Sequence, residues 1–271
     1  MRPRSLFESA VESGLLTRDE ARTLVDKVLA YAKADSTRVS ISNTVSGNTR
    51  FAGGQITTSG ASRDVTVTVI STIGKRRASA ETNVLEEASL RRTVDLAERL
   101  ARLSPEDPEI MPELGPQEYV AVNAFLESTA GLTPEARATA VKKVIDSAGA
   151  VGRAAGDVFI AGFLNTDASV DVIANSSGLF AYHRSTSAGL STTVRTPDAT
   201  GSGWASSGAR DWNLLDPARL GARAAEKAVA SKNPQAIEPG LYTVVLEPQA
   251  VADLIPLLGG AFNGRNADEG R

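Results

Sequence analysis

The spacing of apolar residues changes period twice in the first hundred residues. Thr17-Arg18-Asp19-Glu20 has the form of a capping box, in which the Thr17 oxygen and the Glu20 carboxylate each satisfy a free N–H. Ala21, Leu24, Val25, Val28 and Ala32 follow at helical spacing and predict an amphipathic helix over 17–33. From Arg38 the period falls to two. Val39 and Ile41 begin a strand, with turns expected at Ser46-Gly47-Asn48 and at Gly53-Gly54. Val65 to Ile70, β-branched and alternating, is the cleanest strand signal, and Ile73-Gly74-Lys75 turns it into Arg76 to Ala80. Leu90, Val94, Ala97 and Ala101 mark a second helix over 84–103.

Periodicity then stops. Pro105, Pro108, Pro112 and Pro116, with five acids between Ser104 and Glu118, predict a stiff, solvated linker. Beyond it a short helix is expected near 119–128. Thr133-Pro134 supplies an N-cap and a first-turn proline for a helix that buries Val141, Val144, Ile145 and Ala148. Strands are expected at 158–160, 170–173 and 179–182, with a turn at Asn175-Ser176-Ser177-Gly178. A Gly- and Ser-rich stretch continues to Gly208, and Asp216-Pro217 opens a helix through Leu220, Ala224, Ala228 and Val229.

The fold class expected from this order is α+β: two units of antiparallel strands with flanking helices, 1–104 and 119–232, joined by the linker 105–118. Residues 233–271 read as the opening strand (Leu241 to Leu246) and helix (249–263) of a third domain that stops short. One strand and one helix do not enclose a core.

Composition narrows the function. The 271 residues carry 29 Lys and Arg against 32 acids, a formal charge of −3, so no electrostatic pull toward nucleic acid or anionic lipid is expected. There is no cysteine, which removes disulfides, thiolate catalysis and Cys-containing zinc sites. Glu8 and Glu12 interrupt the N-terminus before a signal sequence can form, and no stretch reaches the ~20 apolar residues of a membrane span. A cytoplasmic location is the expectation.

Few residues offer chemistry. His183 is the single histidine, and no Gly-x-Ser-x-Gly elbow accompanies it, so it reads as a half-exposed strand residue rather than a catalytic base. Zinc sites nearly always include histidine or cysteine, so zinc held by this chain is not expected. Asp167 and Asp171 face the same side of a predicted strand and read as a solvated sheet edge. Gly201-Ser202-Gly203-Trp204-Ala205-Ser206-Ser207-Gly208 lacks both the dinucleotide and the Walker pattern and reads as a mobile or substrate-lining loop. Lys75-Arg76-Arg77 reads as a charged hairpin edge that discourages aggregation. No catalytic, metal or cofactor residue is assigned.

Three stretches together resemble the TldD/PmbA family, whose members were named modulators of DNA gyrase and behave as zinc metallopeptidase subunits. Asn48-Thr49-Arg50-Phe51-Ala52-Gly53-Gly54-Gln55-Ile56 is similar to the family's Arg-Phe-Ala-Asn-Asn-x-Ile hairpin, with Gly53-Gly54 in place of the asparagines. The second stretch runs from Gly201 through Asp211 into the 216–231 helix; the third is Glu238-Pro239-Gly240-Leu241 to Pro248. In catalytic members the following helix carries His-Glu-x-x-x-His. Here an ungapped alignment places Val251 and Pro256 at the ligand positions and Ala252 at the glutamate. The resemblance therefore implies the PmbA/TldE-like branch: a non-catalytic subunit acting on extended peptides. Its partner is a TldD-like catalytic subunit that holds zinc, or a homo-oligomer forms. The alternatives are a metallopeptidase whose site lies farther along a longer chain, and a stand-alone peptide-binding module.

Overall fold

The computed structural model describes residues 14–270, so the Glu8 and Glu12 interruption of the N-terminus lies outside the described residues. The elements are α1 (Arg18–Tyr31), β1 (Ser36–Ala52), β2 (Gln55–Ile73), β3 (Arg76–Thr82), α2 (Glu87–Leu103), α3 (Glu127–Ala130), α4 (Pro134–Gly152), β4 (Phe159–Asn175), β5 (Phe180–Arg195), β6 (Ser202–Ala209), α5 (Pro217–Ala230), α6 (Pro248–Gly259) and α7 (Gly264–Asp268). The fold is α+β. Six strands form one antiparallel sheet in the order β3-β2-β1-β4-β5-β6.

The local signals that hold are those with a hydrogen-bonding reason. The Thr17/Glu20 capping box is complete. Thr133 accepts from the Ala136 N–H and Asp216 from the Arg219 N–H, each ahead of a first-turn proline. Gly53 and Gly54 have φ of 59° and 77°, the left-handed pair that a two-residue hairpin requires. Asparagine is the next best residue for that geometry.

The burial pattern puts odd residues of β1 and even residues of β4 on one face. That face carries two apolar clusters. Val39, Ile41, Val67, Val69, Val170 and Val172 pack against Leu24 and Val28 of α1 and Leu90 and Val94 of α2. Phe51, Leu164, Leu190 and Val194 pack against Val141 and Val144 of α4 and Ala224 and Ala228 of α5. All four long helices therefore lie on one side, and among the described residues of this unit no long helix covers the other, open side.

Several expectations change. The boundary expected at 105–118 does not divide the sheet: β1 and β4 pair from Arg38↔Asn175 to Ala52↔Ala161, and one compact unit continues to Pro234. Both apolar clusters draw on both expected halves, Val170 and Val172 in the first and Phe51 in the second, because β1 and β4 bond edge to edge instead of ending exposed. Ser46-Gly47-Asn48 is not a turn but lies in mid-strand, paired on both sides. The pieces 158–160 and 170–173 are one seventeen-residue strand. The Gly- and Ser-rich stretch is mostly β5 and β6. Its alternation is written in Thr, Ala and Gly, which a search for large apolar residues passes over. The helix expected near 119–128 shrinks to α3.

Residues 235–270 form a second, short unit. Leu241 to Leu246, expected as a strand, carry no ladder pairing, and α6 follows with Pro256 inside it. A strand exists only with a partner for its N–H and C=O groups, however strong its alternation.

Candidate functional site

The open face of the sheet is a field of small hydroxyl residues. Register sets its rows: Ser46 lies across from Asp167, which lies across from Ser187; Thr44, Ser169 and Ser185 form the next row, and Ser42, Asp171 and His183 the one after. Asp167 is the hub. The Ser46 hydroxyl donates to Oδ1 at 2.6 Å, and Asn165 Nδ2 and the Ser187 hydroxyl donate to Oδ2 at 3.1 and 3.4 Å. Ser169 and Ser185 share a hydrogen bond of 2.9 Å. The carboxylate is thus satisfied by neutral donors, and the serines around it are oriented by it. Such a surface can offer donors and acceptors to a polar main chain, with the Ser46 and Ser187 hydroxyls held by the Asp167 carboxylate and those of Ser169 and Ser185 by each other.

One end of the same face is aromatic. Arg50 lies over the Phe163 ring at 4.9 Å, and Phe159 and Trp204 are exposed beside it in the register. The opposite end is strapped. Glu113, with only 4 % of its side chain exposed, bridges Arg38 at 2.8 Å and Arg77 at 3.4 Å, and accepts from Asn175 Nδ2. Asp107 N–H donates to the Lys75 carbonyl, Lys75 Nζ reaches the Pro108 and Ile110 carbonyls, and the Thr186 N–H donates to the Ala124 carbonyl. The segment 105–118, expected to be a stiff, solvated linker, is therefore a belt fastened across β3, β1 and β4.

The candidates from sequence fall out as follows. His183 is exposed on β5, directly across from Asp171. Asp167 and Asp171 are not on a sheet edge, because β4 is a central strand between β1 and β5. The stretch 201–208, expected as a mobile or substrate-lining loop, is instead largely strand β6 with a packing role. A Cβ on Gly203 would meet the Ala224 carbonyl and one on Gly201 the Ala228 carbonyl, so these glycines let β6 lie against α5. Lys75 and Arg76 hold the belt, with Arg76 on the Ser104 carbonyl and Glu106. Among the described residues no three His, Asp or Glu side chains converge as metal ligands. No helix among them is long and apolar enough to cross a membrane.

Residues that sequence reasoning passed over are Glu113, the Asp167 hub and Arg137. Arg137, buried on α4, donates to Thr49 Oγ1 and to the Leu132 and Gly60 carbonyls, and burial lowers its pKa. Asp198, in the β5–β6 turn, is held down to about 2, chiefly by the Thr196 hydroxyl and further by Thr200 and Lys232. Asp211 is lowered by the Ser128 hydroxyl and the Asn213 N–H.

A family profile described as the PmbA/TldA metallopeptidase central domain matches residues 83–232, just over half of the chain. The chain belongs to the PmbA/TldA metallopeptidase family. Its match runs from the approach to α2, through the belt, to the end of α5, and so takes in β4, β5 and β6 but not β1, β2 or β3. A search of curated proteins finds no match. Solved structures share the fold. A proposed modulator of a DNA gyrase from Thermotoga maritima is 21 % identical with a TM-score of 0.71, covering 81 % of this chain and 50 % of that one. A proposed modulator of DNA gyrase from Bacteroides thetaiotaomicron is 17 % identical with a TM-score of 0.73, covering 92 % and 58 %. TldE from Thermococcus kodakarensis is 14 % identical with a TM-score of 0.66, covering 77 % and 47 %. The chain spans about half the length of these PmbA/TldA-like structures.

Proposed function

We propose that this chain is a PmbA/TldE-like, non-catalytic part of a two-subunit metallopeptidase that acts on extended peptides in the cytoplasm, with zinc held by a TldD-like partner. The observation that carries the reading is the donor set of α6. On the ungapped alignment with the catalytic pattern, Val251, Ala252 and Pro256 fall at the positions of its histidine, glutamate and histidine. An aliphatic side chain has no lone pair for zinc and no proton to move, so these residues do not fit the metal. The open face supports a binding role. Its hydroxyl rows can hydrogen-bond a polar main chain, while Phe163, Phe159 and Trp204 offer apolar purchase at one end.

Metal analysis of the purified chain tests the donor-set argument. We expect no stoichiometric zinc after passage through a weak chelator; one tightly held zinc per chain contradicts the reading.

A further inference from the structure

Charge on the open face is sorted along the strands. Its outward acids, Glu81, Asp171, Asp64 and Asp167, fall in the rows of Ile173, Asp171, Ser169 and Asp167. From Phe163 to Phe159 the outward positions of β1, β4, β5 and β6 hold no acid and two arginines, Arg50 and Arg195. Both are exposed, and among the described residues neither guanidinium makes an ion pair. Arg38 and Arg77, at the far end, are by contrast answered by Glu113.

The register also builds a recess between the arginines. Ala161 faces Thr193, and Thr193 faces Trp204. Phe159 and Phe163 are the next outward positions of β4 on either side of Ala161. Two residues along a strand span about 7 Å and neighbouring strands lie about 4.8 Å apart. Two small side chains therefore form a floor with a ring on three sides. Arg50 stacks on the Phe163 ring at 4.9 Å, which fixes its plane and leaves its N–H fork at the rim. A planar fork of donors suits a carboxylate.

We propose that this recess takes the last residue of an extended peptide, with its α-carboxylate between Arg50 and Arg195 and its apolar side chain on Ala161 and Thr193. The inference rests on the peptide reading and gives it a direction. The C-terminus lies at the arginines, and the chain behind it runs over the Ser46 and Asp167 row toward the acids, which favour an N-terminal ammonium. Asp167 lies four residues from Phe163 on β4, so a peptide of roughly four or five residues spans both ends. An α-carboxylate fits better than an acidic side chain because the sheet stops here. β4 begins at Phe159 and the β1–β2 hairpin turns at Gly53-Gly54, so no further hydroxyl row carries a continuing chain. Single-stranded nucleic acid also stacks on arginine and aromatic rings, but its phosphates would meet Asp167 and Asp171 in the adjoining rows.

Calorimetric titration of the full chain with the peptide Ser-Gly-Ala-Ser-Phe, as free acid and as amide, tests this, alongside the amide of Ser-Gly-Ala-Glu-Phe. The free acid should bind at least about tenfold more tightly than its amide, the scale of one charge-assisted hydrogen bond. Arg50→Gln and Arg195→Gln, at exposed positions, should each remove most of that difference by weakening the free acid alone. Trp204→Ala should weaken the peptide ending in Phe and leave one ending in Gly unchanged. The inference fails, and the peptide reading stands, if acid and amide bind alike, if the glutamyl amide matches the free acid, or if the arginine variants weaken acid and amide equally. Displacement of the free acid by oligothymidylate overturns it in favour of nucleic acid. If no peptide binds the wild type, the peptide reading falls with it.

Discussion

Arg137 and Gly47 make one unit. Gly47 sits in mid-strand where a Cβ would lie 2.5 Å from Arg137 Nη1, so the missing side chain is the space the guanidinium fills. The arginine spends its hydrogen bonds on a hydroxyl and two carbonyls, which leaves those acceptors orphaned if it is removed. Arg137→Ala should cost roughly 2–3 kcal/mol, and Gly47→Ala a similar amount in the wild type. In the double variant the new methyl enters vacated space, so the two losses should fall short of additivity by about 1 kcal/mol or more. Denaturant unfolding of the four proteins measures this; simple additivity contradicts the coupling. Asp198 gives a pH signature at the same scale. Its folded pKa of about 2 lies below the ordinary carboxylate value, so its contribution to stability is present above pH ~4 and disappears as pH falls through about 2. The melting-temperature difference between wild type and Asp198→Asn should therefore be constant near neutrality and close on acidification. A gap that widens toward pH 2 would mean that the Thr196 and Thr200 contacts do not favour the ionised form.

At the scale of elements, the belt is the feature most unlike its expectation. Its prolines exclude helix and strand, as composition dictates, yet Glu113 is nearly buried between Arg38 and Arg77. Glu113→Gln should leave the two guanidiniums underpaired at a cost of roughly 1–3 kcal/mol. It should also speed proteolytic cleavage within 105–118 without changing the cleavage rate elsewhere. An unchanged rate would show that the Lys75 contacts alone hold the belt. Helix ends were legible from sequence because a cap is a local hydrogen bond among residues three apart, as at Thr17, Thr133 and Asp216. Strand limits were not. Whether Gly47 turns or continues depends on Arg137, ninety residues away, and whether Leu241 to Leu246 become a strand depends on a partner outside their own pattern. The candidate site was hidden for the same reason. Ser46 and Asp167 are 121 residues apart, and only the register of β1 on β4 brings them together.

For the whole molecule, two apolar clusters lie under one sheet, and each draws residues from both sides of the 105–118 segment. Among the described residues of this unit, that construction leaves one face without a long helix, and this face carries the hydroxyl rows, the aromatic end and the belt. Two of the serines on this face, Ser46 and Ser187, donate to Asp167. The most direct test is peptide cleavage measured three ways, on this protein alone, on its co-purifying partner alone, and on the two together, with zinc quantified in each. The account predicts no cleavage and no zinc for this protein alone, and zinc in the partner. Cleavage by the pair should be lost on chelation and indifferent to His183→Ala. Zinc-dependent cleavage by this protein alone would contradict it.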